Sequence, residues 1–333
     1  MFAKELGIDL GSANTAIVAR RRGIVAREPS VVAVDRYTRE VLAVGAKARH
    51  MIGRTPDSIL SVQPVRAGVI CDLDRTTALI RHMIRQIANS RFLRPRLVLT
   101  AQSGVGGVDR RALLDAAVQA GAGEVFLIDK TVAAGLGADL PVEKPTGSLV
   151  VDIGGGTTDA AVISLGAVVV AGSVPVAGDS LDEAIARHIR REHNLIIGEP
   201  TAERVKIQLG SALPPTDRHL TVSGRQVTTG LPTAIQISAD EVYSALREPL
   251  ARIDGLLLNL LERTPPELVA DIATAGIVLT GGSAQLERLP ERLSQLTGLP
   301  VRVAENPEDA VAVGTTRALD NRGVLQLVSA RKK

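Results

Sequence analysis

Aromatic residues are scarce in this sequence: they make up 2% of the 333 residues, and Trp is absent. The hydrophobic core must therefore be built from Val, Leu, Ile and Ala. The formal net charge is only +3, and no basic run is interleaved with aromatic side chains on which bases could stack. The composition gives no support for a nucleic acid partner, and we expect none.

Cysteine is almost absent as well, since Cys71 is the single one in the chain. A lone cysteine excludes internal disulfides and fits the reducing cytoplasm. We expect Cys71 to be a small buried hydrophobic residue, and a reactive thiol is the alternative.

Long apolar runs are missing too. No stretch of about 20 uninterrupted apolar residues is present that could span a bilayer. The opening segment, "MFAKELGIDLG", lacks the apolar region of a signal peptide. We therefore expect a cytoplasmic protein without a membrane-spanning segment, which leaves attachment to a membrane surface open.

The sequence does contain the balance of a folded globular protein, with 45% hydrophobic and 23% charged residues, and its length fits two domains. Short apolar strands such as "RLVLTA" (96–101) and "EVFLID" (124–129) alternate with segments of helical periodicity such as Thr76–Ala88. This mixture predicts the α/β class.

Two stretches of the chain resemble each other, namely "DLGSANT" beginning at Asp9 and "DIGGGTT" beginning at Asp152. The matching pairs are Asp9 with Asp152, Gly11 with Gly154, Asn14 with Thr157, and Thr15 with Thr158. Such similarity within one chain predicts a duplicated domain. Each copy is typical of a β-hairpin with a tight glycine turn at its tip.

Helix boundaries are indicated by capping residues. We predict N-caps or capping boxes at Asp109 (with Gly121 as the stop), at Ser180 with Glu183, at Ser238 with Glu241, and at Asn306 with Pro307 in the first helical position.

The paired glycine turns suggest phosphate binding, because a backbone without side chains lets its N–H groups approach an anion closely. Ser12, Thr15, Thr157 and Thr158 can add hydroxyl donors. Carboxylates repel phosphate, so Asp9 and Asp152 make sense if Mg²⁺ lies between them and the phosphate through its waters. An ordinary hairpin is the alternative for one turn, but two matching copies favour a polyphosphate cleft.

Neither common nucleotide motif is present: the chain has no G-x-x-x-x-G-K-[ST], and "DIGGGTT" does not match G-x-G-x-x-G. Two further segments could contact a nucleoside. Glu203 and Lys206 share a helix face, where the alternative is a surface ion pair. "LTGGSAQL" (Leu279–Leu286) is a glycine turn after a strand, where the alternative is an ordinary helix N-terminus.

In this order, the motifs resemble the actin-like ATPase superfamily, and within it the MreB/Mbl family of bacterial actins. The resemblance runs almost from end to end through "GIDLGSANT", "VLAVGAKARHMIGRTP", "VDIGGGTTDAAVISLG", "EPTAERVKIQLGSA", "IVLTGGSAQLERLP" and "PVRVAENPEDAVAVGT". It implies an actin-like fold, with two duplicated α/β domains divided into four subdomains around a nucleotide cleft. The implied bounds are 1–31, 66–144 and 313–333 for subdomain IA, 32–65 for IB, 145–180 and 242–312 for IIA, and 181–241 for IIB.

The resemblance also implies ATP and Mg²⁺ as ligands and assigns roles to residues. The implied ATP-binding residues are Gly11, Ser12, Ala13, Asn14, Gly154, Gly155, Gly156, Thr157, Thr158, Glu203, Arg204, Val205, Lys206, Gly281, Gly282, Ser283 and Ala284. Asp9 and Asp152 would hold the metal through water, and Thr157 is linked to hydrolysis.

The chain departs from the family at Lys130, where the family has a Glu that orients the attacking water. A protonated lysine cannot accept a proton from water. Lys130 could contact the γ-phosphate and leave a slow ATPase that still binds ATP, or nearby residues could compensate so that turnover survives. Asp129 is adjacent and a candidate catalytic residue, but one position along the chain its side chain points in a different direction. The third alternative is that Lys130 points to solvent. We favour retained binding with weak hydrolysis. Nearby, Gln102 replaces the family's Pro.

The resemblance further implies filaments on the inner face of the cell membrane that organise cell-wall synthesis and shape. Phe92 and Leu93, between arginines, match the family's apolar membrane loop; packing into their own domain is the alternative. The helix at 76–88 is where the family's protofilaments pair, and an antiparallel double filament is one arrangement. The rival hypothesis is a non-polymerising ATP-binding scaffold or regulator that binds cell-wall synthesis or elongation proteins. A small-molecule kinase is disfavoured, because we find no carboxylate base with an acceptor pocket.

Overall fold

The computed structural model describes residues 5–52, 54–66, 69–87, 94–320 and 324, and the backbone of 329–332. The strands, in chain order, are β1 (Glu5–Leu10), β2 (Asn14–Ala19), β3 (Gly23–Pro29), β4 (Val32–Asp35), β5 (Val41–Val44), β6 (Ile59–Val62), β7 (Val65–Arg66), β8 (Val69–Ile70), β9 (Arg96–Ala101), β10 (Glu124–Asp129), β11 (Ser148–Ile153), β12 (Thr158–Ser164), β13 (Ala167–Val174), β14 (Leu195–Ile196), β15 (His219–Gln226), β16 (Pro232–Ser238), β17 (Ile277–Thr280), β18 (Val301–Val303) and β19 (Ser329–Lys332).

Helices connect and cover these strands. In chain order they are α1 (Ala46–Met51), α2 (Leu73–Ile87), α3 (Gly107–Ala120), α4 (Lys130–Gly137), α5 (Gly178–His193), α6 (Glu199–Leu209), α7 (Ala239–Glu262), α8 (Pro266–Ala275), α9 (Leu289–Thr297) and α10 (Ala310–Asp320), with a 3-10 helix at Gly282–Gln285. Among the described residues, none of the helices combines the length and apolar character that crossing a bilayer requires.

Two mixed sheets form the centre of the molecule, with the orders β19-β10-β9-β1-β2-β3 and β13-β12-β11-β17-β18. In each, a hairpin opens an antiparallel run of three strands, and the first strand of that hairpin continues into two parallel neighbours: β1 pairs with β9 and β9 with β10, as β11 pairs with β17 and β17 with β18. The duplication predicted from Asp9 and Asp152 is thus visible as five strands of the same topology in each sheet, and the first sheet has β19 in addition, antiparallel to β10 at its edge.

Smaller sheets extend from each half. The sheet β5-β4-β6 follows β3 in the sequence and packs against α1. The sheet β14-β15-β16 packs against α5 and α6. The proposed subdomain bounds follow from the resemblance, and they stay a prediction.

The interior is aliphatic, as the lack of aromatic residues predicts. One cluster of buried Val, Leu, Ile and Ala lies under the second sheet and another under the first. A third joins the two halves, because α4 and α10 pack against each other between the sheets. Their backbones approach closely enough that a Cβ on Gly314 would overlap the carbonyl of Ala133.

Two predicted helix ends are confirmed. Ser238 caps α7 in a capping box with Glu241. Gly121 ends α3 in the left-handed conformation with φ 115°.

Three predicted helix starts are wrong. α3 has Gly106 as its N-cap, so Asp109 lies in the first turn, where its charge still favours the helix dipole. α5 begins at Gly178, ahead of Ser180, because the N–H groups of Gly178 and Asp179 donate to the carbonyls of Gly154 and Gly155, at 3.1 and 2.8 Å.

The third start, at Asn306, fails because the carbonyl of Pro307 accepts a hydrogen bond from Gly281 (2.7 Å), and residues 307–309 form a turn before α10 begins at Ala310. The expectation of a buried Cys71 is also wrong. Cys71 is exposed just after the two-residue strand β8.

Candidate functional site

A cavity of about 620 Å³ opens between the two central sheets, within the size range of small-ligand sites. Its walls come from the tips of both hairpins, the start of α4, the first turn of α5, α6, and the glycine turn after β17. The carboxyl ends of parallel strands point at it from both sheets, which is the usual position of a site in open α/β sheets.

The two hairpin tips have the same turn geometry. The N–H of Gly11 donates to the carbonyl of Asn14 at 3.1 Å, and the N–H of Gly154 donates to the carbonyl of Thr157 at 3.0 Å. The tips also meet, because a Cβ on Gly155 would lie 2.5 Å from the Cβ of Ala13. The absence of a side chain at Gly155 therefore allows the two tips to come into contact at one place, while they line the cavity from its two sides.

Asp9 lies at the end of β1 and accepts a hydrogen bond from the Thr100 hydroxyl at 3.1 Å. Burial raises the pKa of Asp9 to about 6, the positive charge of Lys130 opposes this shift, and the negative charge of Asp152 adds to it. Asp9 is therefore a carboxylate whose ionisation depends on the cations near it.

Asp152 holds the equivalent position in the second sheet and is buried, with 1% of its side chain exposed. One of its oxygens accepts a hydrogen bond from the Thr280 hydroxyl at 2.8 Å. The other lies 2.6 Å from the ammonium of Lys130. Burial alone would lower the pKa of Lys130, but the charges of Asp152, Asp159 and Asp9 outweigh it and raise this pKa well above its ordinary value. The neighbouring carboxylates therefore favour the charged form of Lys130.

Asp159 adds a third carboxylate to this wall. It is fully buried, and the oxygen that lies 3.7 Å from the Lys130 ammonium accepts a hydrogen bond from the Thr157 hydroxyl at 2.9 Å. Its other oxygen accepts a hydrogen bond from Gln102 at 3.0 Å, and Gln102 also donates to the hydroxyl of Ser173 at 2.6 Å. Gln102 thus helps to fix the orientation of Asp159.

The opposite end of the cavity is lined by α5 and α6. The ammonium of Lys206 pairs with Asp182 at 2.9 Å and donates to the carbonyl of Gly178 at 3.2 Å. Burial raises the pKa of Asp182 to about 6, against the opposing effect of Lys206. Burial also raises the pKa of Asp179, and the charge of Glu199 adds to it. Glu203 pairs with Arg49 of α1 at 3.4 Å, so it reaches across the cleft to the first half of the molecule.

The turn after β17 approaches the backbone of the second hairpin. Gly281 has φ 85° and ψ 158°, and a Cβ there would overlap the carbonyl of Ile153. The hydroxyl of Ser283 donates to the carbonyl of Gly154 at 2.8 Å. The turn and the hairpin therefore form one continuous wall.

Most of the predicted site residues line this cavity. They are Asp9, Gly11, Ser12, Ala13, Asn14, Lys130, Asp152, Gly154, Gly155, Gly156, Thr157, Glu203, Lys206, Gly281, Gly282 and Ser283. Their roles toward a ligand stay predictions.

Five predicted residues lie elsewhere. Thr158 is fully buried and donates to the carbonyl of Val176, Val205 and Ala284 lie in the core, and Arg204 is exposed. Asp129 pairs with Arg110 at 3.2 Å and is not among the residues that line the cavity. Phe92 and Leu93 lie outside the described residues.

Asp159, Asp179 and Asp182 also line the cavity, although they were not predicted from the sequence. Asp159 follows the second hairpin motif directly, but its equivalent in the first hairpin is Ala16, so comparing the two copies hid it. Asp179 and Asp182 open a helix next to a glycine, where first-turn acidic residues are ordinary. Their only sequence signal is their distance of about one turn from each other.

The predicted Mg²⁺ does not fit beside Asp152 as the side chains stand. Magnesium usually keeps several waters, and a metal-bound water donating to Asp152 would lie at hydrogen-bond distance from its oxygen. The Lys130 ammonium already lies at that position, 2.6 Å away. Among the residues that the structure describes, no group of three or more Asp, Glu, His or Cys side chains is placed to hold a metal directly. The metal assignment of Asp9 and Asp152 stays a prediction, and the position of Lys130 stands against it.

Two duplicated sheets with matching glycine hairpins on a shared cleft define an actin-like fold. Comparison with known proteins gives the same class and identifies a family within it. The model of the family described as MreB/Mbl protein matches residues 3–326. The chain is 46% identical to the cell shape-determining protein MreB of Escherichia coli K12, over 96% of this chain and 94% of that protein. It is 44% identical to the cell shape-determining protein Mbl of Bacillus subtilis 168, over 96% of this chain and 97% of that protein.

Among solved structures, MreB5 of Spiroplasma citri bound to AMPPNP superposes with a TM-score of 0.90 at 35% identity, covering 96% of this chain and 97% of that one. The chain therefore belongs to the MreB/Mbl family, and the resemblance stated from the sequence is confirmed.

Proposed function

We propose that this chain is a bacterial actin that binds ATP in the cleft between its two halves and assembles into filaments which organise cell-wall synthesis and cell shape. The observation that carries the proposal is the pair of hairpin tips with the same turn hydrogen bond, 3.1 Å at Gly11 and 3.0 Å at Gly154, on the two sides of one cavity. Family membership supports it, as do relatives named for cell-shape determination and a related protein crystallised with AMPPNP.

In this proposal the glycine tips hold the phosphates with backbone N–H groups, and Glu203, Lys206 and the turn at Gly281 hold the nucleoside. The four subdomains have the bounds implied by the resemblance. A Mg²⁺ carried by the nucleotide has to compete with Lys130 for Asp152, since the ammonium is 2.6 Å from that carboxylate.

Hydrolysis is weak in this proposal. A general base must accept a proton from the attacking water, and a lysine held between carboxylates stays protonated. The hydroxyl of Thr157 donates a hydrogen bond to Asp159 at 2.9 Å, and Asp129 forms an ion pair with Arg110. Losing a water-orienting group lowers a rate by about 10² to 10⁴.

We further propose that the filaments lie on the inner face of the cell membrane, held through Phe92 and Leu93, and that they contact proteins of cell-wall synthesis or elongation. The filament is built from copies of this chain, and an antiparallel double filament is one arrangement. Each contact of an apolar pair with lipid is weak, whereas a filament binds through many linked contacts.

A second candidate is a non-polymerising ATP-binding scaffold or regulator of filaments, favoured by the buried Lys130–Asp152 ion pair. Sedimentation of the purified chain with ATP, over a range of protein concentrations, separates the two. Concentration-dependent pelleting supports the filament; nucleotide binding without pelleting supports the scaffold.

Phosphate release tests the hydrolytic part, comparing the wild type with Lys130→Glu and with Lys144→Glu as a matched charge change on an exposed turn. We expect binding with almost no turnover in the wild type and in Lys144→Glu, and a gain in Lys130→Glu. Ordinary turnover in the wild type would contradict the proposal of weakened hydrolysis.

A further inference from the structure

Lys130 is built into the acidic wall of the cleft. It opens α4, only 14% of its side chain is exposed, and it lines the cavity. Its ammonium lies 2.6 Å from Asp152 and 3.7 Å from Asp159, and a Cβ on Gly154 would be 3.6 Å from it. The cation therefore stands at the junction of the carboxylates and the second glycine tip.

The carboxylates of Asp152 and Asp159 are fixed in place by hydrogen bonds from neighbouring side chains. Thr280 donates to the other oxygen of Asp152 at 2.8 Å, while Gln102 and Thr157 donate to the two oxygens of Asp159 at 3.0 and 2.9 Å. Because both carboxylates are anchored, the ammonium they attract is held in one place. An ammonium has three N–H donors. Only the oxygen of Asp152, at 2.6 Å, lies within hydrogen-bond distance of the ammonium, whereas Asp159, at 3.7 Å, attracts it by charge alone. The two carboxylates therefore leave N–H donors of Lys130 for an anion in the cavity.

A hydrated divalent cation and this ammonium compete for the same position. Both would lie against the same oxygen of Asp152, and like charges at such a distance repel strongly in a partly buried site. Replacing Lys130 by a carboxylate would change the local charge by two units, which is the charge of one magnesium ion. The ammonium thus supplies part of the neutralisation that phosphates need beside three aspartates.

We propose that Lys130 takes the place of the divalent cation in this cleft, so that the chain binds adenine nucleotide through the Lys130 ammonium without requiring Mg²⁺. This inference rests on the proposed nucleotide binding and specifies its cation dependence. It makes Lys130 the residue that determines whether free or magnesium-bound nucleotide is the ligand.

The test is equilibrium binding of ADP to the full chain by calorimetry, in excess EDTA and across a Mg²⁺ titration. For the wild type we expect an affinity that changes by less than about threefold between the two conditions, a fraction of the 1.4 kcal/mol that a tenfold change represents. For Lys130→Glu we expect binding in EDTA to fall by about 10- to 100-fold or more, since charged hydrogen bonds are lost, and to recover when Mg²⁺ is added.

Lys130→Met separates charge from size. It removes the ammonium without adding a carboxylate, so we expect weak binding in EDTA and partial recovery in Mg²⁺. Lys144→Glu is the control, and it should behave as the wild type does. If Lys130→Glu does not fold, as judged by circular dichroism, the wild-type titration and Lys130→Met still decide the question.

The possible outcomes are distinct. Wild-type binding that is independent of Mg²⁺, together with Mg²⁺-dependent binding by Lys130→Glu, supports the inference. Wild-type binding that appears only with Mg²⁺ overturns it and leaves the proposed nucleotide binding intact. Absence of ADP and ATP binding by the wild type in both conditions overturns the proposed function and this inference together.

Discussion

Gly281 and Gly298 both have positive φ, but only one of them is confined by its surroundings. Gly281 adopts φ 85° and ψ 158°, a region essentially restricted to glycine, and a Cβ there would overlap the carbonyl of Ile153. Gly298 ends α9 with φ 71° and ψ 8°, and nothing lies within 4 Å of a Cβ built there.

We expect Gly281→Ala to destabilise the fold by about 3 kcal/mol or more, because β11 and β17 must separate next to Asp152, whereas Gly298→Ala costs about 1 kcal/mol of left-handed strain. Urea unfolding followed by circular dichroism measures both. Equal losses for the two variants would show that the contact with Ile153 is unimportant.

Asp182 gives a pH dependence that can be checked. Its pKa is raised from 3.8 to about 6 in the folded chain, mainly by burial. The native state therefore binds more protons than the unfolded state between these values, and stability falls as the pH rises from about 4 to about 6.

We expect Asp182→Asn to make the free energy of unfolding fall less steeply over this pH range than in the wild type. The difference should be at most about 3 kcal/mol, since one pKa unit corresponds to about 1.4 kcal/mol and the pair with Lys206 is partly solvated. Chemical denaturation at a series of pH values measures it. An unchanged slope would mean that Asp182 titrates normally.

At the residue scale, the sequence predicted which side chains surround the cavity better than it predicted their partners. Asp9 and Asp152 were identified because the chain repeats them. The partnership of Lys130 with Asp152 could not be predicted, because it depends on the first residue of α4 reaching a strand 22 positions further along the chain. Asp159 was not predicted, because the first copy of the repeat has no aspartate at the equivalent position.

At the scale of helices and strands, capping signals predicted helices reliably but not where each begins. Ser238 and Ser180 both precede a Glu by three residues. Only Ser238 caps its helix; the hydroxyl of Ser180 instead contacts the carbonyl of Pro175 at 3.5 Å. The difference arises because α5 is started by backbone bonds to the glycine hairpin, a long-range contact that local sequence does not encode.

These two serines form a matched pair of substitutions. Ser238→Ala should cost about 1 kcal/mol, because the N–H of Glu241 loses the hydroxyl oxygen that accepts its hydrogen bond, whereas Ser180→Ala should stay within about 0.5 kcal/mol. Thermal or urea unfolding of the two variants checks this. A larger loss at Ser180 would show that it supports α5 in solution.

At the scale of the whole molecule, the internal repeat predicted the two-sheet architecture and the resemblance predicted the family. The ion pairs between distant segments beside the cleft were not predicted. Arg49 and Glu203 pair at 3.4 Å across its mouth, and Arg27 pairs with Glu308 at 3.0 Å and also with Asp309. These pairs join segments more than 150 residues apart, with no signal in the sequence of either.

We expect Arg49→Glu to speed nucleotide release by about 2- to 10-fold, as an exposed ion pair contributes up to about 1 kcal/mol and its reversal adds repulsion. The double variant Arg49→Glu with Glu203→Arg should recover part of this effect. Arg191→Glu, on the far end of α5, serves as control. Stopped-flow measurement of a fluorescent nucleotide gives the rates, and no acceleration would mean that this pair does not hold the cleft.

α10 packs against α4, β1, β2 and β9, and Gly7 of β1 lacks a Cβ where Thr315 of α10 lies. The packing of the first sheet is therefore incomplete until residues 310–320, near the other end of the sequence, form α10 against it. The second sheet draws its strands from the continuous stretch 148–303, whose contacts close shorter loops. During translation, the first sheet is therefore begun before the second but completed after it. The face of β1 that packs against α10 stays exposed until residues 310–320 have been synthesised.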